Sequence, residues 1–246
     1  MQPRRLCHLP PEPTVRWSSD VSDQWAAQRI ELTEATREMY RRGLVGAYSG
    51  NTSRRLTGSG DDSLLLVTPT HHPYYRLQPD ELVVVNLDGE PVAPAPMRPS
   101  SETRLHLEIY RQRNDVQAVV HTHSIYASVA AVIGRDIPPL IDEMLLTIGG
   151  PIKVSKYAFP GTQELAEQAQ AALGERNAAL LRNHGVVGVG PDIWEALEVC
   201  DLVERLAQIF VMARNFGPRA ASPLPDDAVA TELQMFQDSR ETRPLT

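Results

Sequence analysis

The chain has 246 residues, of which 42% are hydrophobic and 22% charged, values in the ordinary range for a soluble domain able to bury a sizeable core. Its formal net charge of -7 excludes a general nucleic-acid binder, which needs clustered Lys and Arg, so any anionic ligand must be held locally. No apolar run is long enough to span a membrane, and Met1-Gln2-Pro3-Arg4-Arg5 lacks the apolar stretch of a secretion signal, so the expected compartment is the cytoplasm.

The first twenty residues are rich in Pro and charge and show no period, which predicts a loose N-terminal arm (1–20) ahead of one domain (21–217). From Ser22 to Arg42 apolar residues recur at helical spacing (Trp25, Ile30, Ala35, Met39), and Gly43 supplies a stop. A Gly-rich segment from Gly46 to Ser53 leads into β-like runs at Leu64–Thr68 and Leu82–Leu87, the second closed by Asp88-Gly89. The Pro-rich stretch Pro91–Pro99 cannot be helical and delivers the chain to Ser100-Ser101-Glu102, where serine can cap a helix running to about Arg113. Val116–His123 reads as a buried strand and Ile125–Ile133 as the helix after it. Ala178–Leu181 and Val186–Val189 are strands pinched at Asn183-His184-Gly185, and Pro191 opens a long helix ending at Gly217. The tail (218–246) is polar and is expected either to order on a neighbouring subunit or to lack order. A single layered α/β domain is the simplest architecture for these elements.

His121-Thr122-His123 ends a strand-like run, and residues two apart on a strand share a face, so both imidazoles can reach one ion. His-X-His also occurs by chance on exposed strands, so a third ligand is needed. His184, in a turn between two apolar strands, is the candidate; a turn histidine bonded to backbone is the alternative. Three neutral imidazoles with an open position match a catalytic zinc site. Glu102 lies in the first turn of its helix, where the dipole favours a carboxylate whatever its function; facing the ion, it could ligate or move a proton. Asn51, Ser53, Thr70, Ser100 and Ser101 sit in Gly- or Pro-bracketed loops beside strand or helix ends, positions that suit a phosphate but also ordinary turns. His106, one helical turn beyond Glu102, reads as packing or support rather than ligation; His71 and His72 read as loop residues, and His8 belongs to the arm. Cys7 and Cys200 lie far apart without metal-type spacing, which points to neither a disulfide framework nor a cysteine metal site.

From Ser22 to Phe216 the chain resembles the class II aldolase/adducin-head family, through Gly50-Asn51-Thr52-Ser53, Thr68-Pro69-Thr70, Ser100-Ser101-Glu102, His121-Thr122-His123, Phe159-Pro160-Gly161-Thr162 and Asn183-His184-Gly185. The resemblance implies a central, mostly antiparallel sheet flanked by helices, with His121, His123 and His184 holding zinc or another divalent ion such as manganese or cobalt. It implies Glu102 as acid/base, Asn51, Ser53, Thr70, Ser100 and Ser101 around a substrate phosphate, and a homotetramer with active sites between subunits. The implied reaction is a metal-dependent aldol cleavage or condensation of a small ketose 1-phosphate, in which Glu102 moves the carbon-bound proton of dihydroxyacetone phosphate. Three departures bear on the substrate. His71 follows Thr70 where the family usually has glycine. The segment Ile141-Asp142-Glu143-Met144 carries no tyrosine where the aldolases place an acid reaching across the subunit boundary, leaving Asp142 or Glu143 as its replacement. No tyrosine occurs after Tyr157. Within the family, 4-epimerases typically have Asp where Glu102 stands, so Glu102 favours the aldolases. Keto-acid phosphate decarboxylases and a methylthioribulose-phosphate dehydratase share the three histidines, whereas non-catalytic adducin-like heads lose them.

Overall fold

The protein is described by a computed structural model covering residues 25–56, 64–92, 97–217 and 220–242; the predicted arm, Cys7, His8 and the start of the first helix at Ser22 lie outside these residues. Seven strands form one sheet in the order β3 (Val83–Val85), β2 (Leu65–Val67), β1 (Asn51–Arg55), β4 (Ala118–Thr122), β7 (Gly185–Gly190), β6 (Ala178–Leu181), β5 (Lys153–Val154). Every pairing is antiparallel except β5 with β6. β4 is buried at all five positions and central, which is why its sequence reads as an unbroken apolar run up to His121.

Alternation along the strands divides the core into two faces. Leu66, Ala118 and Val120 pack with Leu32 and Met39 of α1 (Ala26–Arg41) and with Ile193 and Leu197 of α6 (Ile193–Arg214). Leu65, Val67 and Val119 pack with Leu105 and Ile109 of α2 (Thr103–Gln112) and with Ala169 and Leu173 of α5 (Gln163–Leu173). His121 continues the Val119 series, so it emerges on the side of α2. A third cluster joins α3 (Ile125–Ile133) and α4 (Asp142–Ile148) to α6 and to Ala178, Leu180 and Val186. The result is a single α/β domain, a mostly antiparallel sheet flanked by helices. No helix among the described residues is long and apolar enough to cross a membrane.

Helix α3 and strand β6 fall on their predicted bounds, and Gly43, at φ +73°, ends α1 as expected. β1 starts inside the segment expected to be a glycine-rich approach and runs two residues past it, since its polar residues Asn51, Thr52 and Ser53 hide a fully buried strand start. The sequence reading places no element between Gly134 and Asn177, where α4, β5 and α5 stand. The tail also differs from expectation. Residues Asp226–Thr242 form α7, which docks on its own chain: Phe236, 7% exposed, packs on Gly149, and Arg240 reaches Asp115 at 2.5 Å and the Glu175 carbonyl at 2.7 Å. Leu233 and Val229, one and two turns before Phe236, are half-buried on the same face, a short apolar stripe set among exposed polar positions.

Candidate metal centre

Two glycines shape the end of β4. A Cβ on Gly50, at φ +72°, would stand 2.5 Å from the His121 carbonyl oxygen, and one on Gly185 would stand 2.2 Å from that of Thr122. Only hydrogen on both neighbouring strands lets the backbone close over the histidine-bearing strand end. Asn183 takes a left-handed turn at φ +56°, one of the few side chains that tolerates it. That turn swings His184 to face His121 and His123.

The three imidazoles form a near-symmetric cluster, each pair of ring centroids 4.8 Å apart. His121 Nδ1 lies 2.8 Å from the Val186 carbonyl, which can only accept, so Nδ1 carries the proton and Nε2 turns a lone pair inward. The Nε2 atoms of His121 and His123 are 3.0 Å apart. Glu102 completes the group, with Oε2 3.3 Å from His121 Nε2 and Oε1 3.4 Å from His184 Nε2. It occupies the N-cap position of α2 without capping it; Ser100 Oγ instead accepts from the Glu102 N–H at 3.3 Å. Its carboxylate is therefore released from helix duty and faces the histidines.

A divalent ion fits this donor set. One ligand atom from each of the four residues lies within 4.8 Å of the others, and nitrogens ~2.0–2.1 Å from a tetrahedral ion stand about 3.3 Å from one another. Glu102 Oε1 is buried with no hydrogen-bond partner, an arrangement that burial penalises unless something else satisfies the site. Charge is arranged accordingly. Burial, then His121 and His184, push His123 down to about 3, and burial followed by His121 pushes His184 down to about 4, so both are neutral and ligand-competent near neutral pH. Burial opposes charge on Glu102 and on His121, yet their mutual attraction holds the carboxyl well below its usual range and raises His121.

In front of the cluster opens a cavity of about 430 Å³, lined by Asn51, Thr70, Ser100, Ser101, Glu102, His123 and His184. The bridge between Pro69 and Pro99, with Ser100 N–H donating to the Thr68 carbonyl at 3.0 Å, brings the Thr70 and Ser100-Ser101 loops side by side. Ser53 does not reach this cavity. It is fully buried behind it, its hydroxyl bonded to His106 Nδ1 at 2.6 Å and Tyr110 Oη at 2.9 Å: it shares the face of Asn51 on β1 but lies two residues further along the strand, under α2. Asn51 lines the cavity but is already engaged, Nδ2 donating to Glu102 Oε2 at 3.0 Å and Oδ1 meeting His106 Nε2. His71 stands at the cavity in the left-handed region, φ +53°, the conformation for which the family's glycine is suited. Asp142 and Glu143 lie on α4 and do not line their own chain's cavity; Glu143 pairs with Arg205. Phe159-Pro160-Gly161-Thr162 starts α5, with Thr162 Oγ1 accepting from Leu165 N–H at 3.2 Å. Two tyrosines overlooked in the sequence also line the cavity: Tyr48, 61% exposed, and buried Tyr74, whose hydroxyl donates to the Gly50 carbonyl. Their positions beside Gly50 and His71 were the available signal.

Comparison with known proteins agrees with this geometry. A 5-deoxy-D-ribulose 1-phosphate aldolase of Bacillus thuringiensis is 33% identical over 211 residues, covering 85% of this chain and 95% of the relative. A 5-methylthioribulose-1-phosphate/5-deoxyribulose-1-phosphate aldolase of Rhodospirillum rubrum is 37% identical over 211 residues, covering 86% and 91%. Among solved structures, an L-fuculose 1-phosphate aldolase superposes with a TM-score of 0.77 at 29% identity, covering 90% of this chain and 98% of that one. The profile of the Class II Aldolase and Adducin N-terminal domain matches residues 30–211, and the chain belongs to that family.

Proposed function

We propose that the protein is a zinc-dependent aldolase that cleaves or forms the carbon–carbon bond of a small ketose 1-phosphate, giving dihydroxyacetone phosphate and an aldehyde. The observation that carries this reading is the Glu102 carboxylate standing against three convergent histidines at the floor of a cavity rimmed by hydroxyls. His121, His123 and His184 are the ligands in this reading. The bound divalent ion supplies positive charge where the substrate's carbonyl oxygen becomes negative. Glu102 takes the proton from the donor carbon in the synthetic direction and returns it to that carbon on cleavage. Asn51 holds Glu102 in place through Oε2. Thr70, Ser100 and Ser101 hold the phosphate, with the His71 imidazole beside them where glycine would leave room, and Ser53 acts from behind the cavity rather than on the phosphate.

The two ribulose-phosphate relatives favour a short aldehyde partner: breaking the bond between the third and fourth carbons of 5-deoxyribulose 1-phosphate leaves dihydroxyacetone phosphate and acetaldehyde. Assembly as a homotetramer belongs to the same proposal, supported by an apolar stripe on α3 in which Ile125 is 69% and Val132 56% exposed in the single chain. The test is cleavage of 5-deoxyribulose, 5-methylthioribulose and fuculose 1-phosphates by metal-loaded protein, read as dihydroxyacetone phosphate. Release that stops on chelation is expected; a metal-replete protein inert toward all three refutes the reading.

A further inference from the structure

Behind Glu102 a buried chain of polar side chains continues past Asn51, and its middle member, His106, has no part in the proposed steps. It links two elements whose periods match: Asn51 and Ser53, two apart on β1, face Glu102, His106 and Tyr110, four apart on α2. The contacts run from Glu102 Oε2 to Asn51 Nδ2 at 3.0 Å, from Asn51 Oδ1 to His106 Nε2, from His106 Nδ1 to Ser53 Oγ at 2.6 Å, and from Ser53 Oγ to Tyr110 Oη at 2.9 Å.

Donor and acceptor roles in this chain follow from its first member. A carboxylate can only accept, so the Asn51 amide must turn its N–H to Glu102 and its oxygen to His106. His106 must then carry its proton on Nε2, which leaves Nδ1 as an acceptor for the Ser53 hydroxyl, and Ser53 accepts in turn from Tyr110. His106 is fully shielded from water, and burial pushes it down to about 3, so it is a neutral ring with one N–H to place. The chain stops at Tyr110, 1% exposed under the Arg55 guanidinium. It therefore has no outlet to solvent and is suited to fixing orientation rather than carrying protons away.

We infer that His106 is a positioning residue: its Nε2–H holds the Asn51 amide in the one orientation that donates to Glu102, and so aims the Glu102 carboxylate at the histidine cluster. Without that N–H the amide can invert and set its oxygen against the carboxylate, a repulsive contact in a buried site. This inference rests on the aldolase reading for its kinetic consequence but not for its structural content, and the two are tested separately.

The structural content is read from the wild-type protein by long-range proton–nitrogen correlation of its histidine rings, which distinguishes the two neutral tautomers whatever reaction is catalysed. His106 protonated on Nε2 is expected; protonation on Nδ1 overturns the inference. The kinetic consequence is read from two variants. His106→Gln can present an amide N–H near the place of Nε2, whereas His106→Asn reaches only as far as Nδ1. With metal content unchanged in both, His106→Asn is expected to lower kcat about 10- to 100-fold with KM moved less than about threefold, and His106→Gln to recover most of that loss. Equal losses in two folded, metal-replete variants, or no loss in either, overturn it. If the wild-type protein cleaves no ketose phosphate, the aldolase reading fails and the tautomer alone decides.

Discussion

Substituting Gly185 by Ala perturbs the metal cluster without touching a ligand. The new Cβ would lie 2.2 Å from the Thr122 carbonyl oxygen and 3.1 Å from His123 Cδ2. Relief to ordinary van der Waals contact requires the starts of β7 and the end of β4 to part by about 1 Å. Gly185 pairs with Leu181 at the closed end of the β6–β7 hairpin, and Thr122 pairs with Val186, so the displacement falls on the segment that sets His184 against His121 and His123. Overpacking of this kind costs about 1–3 kcal/mol, which at this domain size lowers the melting temperature by roughly 2–4 °C per kcal/mol. A shift of that size also loosens the ligand geometry, and a 10- to 100-fold weakening of metal binding is expected, comparable to the loss of an outer supporting contact. Thermal unfolding of the chelated protein and competitive titration with zinc measure the two effects independently. Wild-type melting temperature together with wild-type affinity would refute the claim that glycine is required for the strands to close over the histidines.

Removing a ligand has a larger effect: His184→Ala should weaken zinc binding by more than about 100-fold, and unchanged affinity and stoichiometry by titration would remove His184 from the ligand set. Glu102→Gln should keep the metal but slow proton exchange at the donor carbon by more than about 100-fold; retained exchange would exclude Glu102 as the base. Acid should destabilise the metal-free protein. His106 and His123 are held down to about 3 and His184 to about 4, against an ordinary value of 6.5. The unfolded chain therefore takes up protons first, and stability present above 6.5 is lost as pH falls toward the folded values. For fully buried His106 the loss reaches about 1.4 kcal/mol per pH unit; His121, shifted the other way, gains stability on acidification and offsets part of it. Urea unfolding of chelated protein at about pH 7 and about pH 5 measures the balance, and equal or greater stability at the lower pH would contradict it.

How much of this was legible in the sequence depended on whether a residue's role left a pattern. The apolar run of β4 ending in His121-Thr122-His123 announced both a buried strand and a shared face, and Asn183-His184-Gly185 announced a tight turn, which together brought the three histidines into one site. Glu102 was legible only through resemblance, because a carboxylate at a helix start has a sufficient local explanation. Ser53 was misplaced because a polar residue two positions from Asn51 looks like a loop residue, whereas strand alternation buries it against α2. α5 buries mostly alanine (Ala166, Ala169, Ala172), which gives a faint periodic signal. α7 carries only a short apolar stripe, Val229, Leu233 and Phe236, followed by Arg240, a faint periodic signal in an otherwise polar tail. The tautomer of His106 could not be read from spacing at all, since it is set by a carboxylate two contacts away.

The most direct test of the account is exchange of the hydroxymethyl hydrogens of dihydroxyacetone phosphate with deuterated water, followed by proton NMR in the presence of the zinc-loaded protein. This isolates the step assigned to Glu102 and needs no knowledge of the aldehyde. The account predicts loss of one hydrogen signal at that carbon, abolished by chelation. Full retention of both hydrogens in the presence of a metal-replete, folded protein would contradict it.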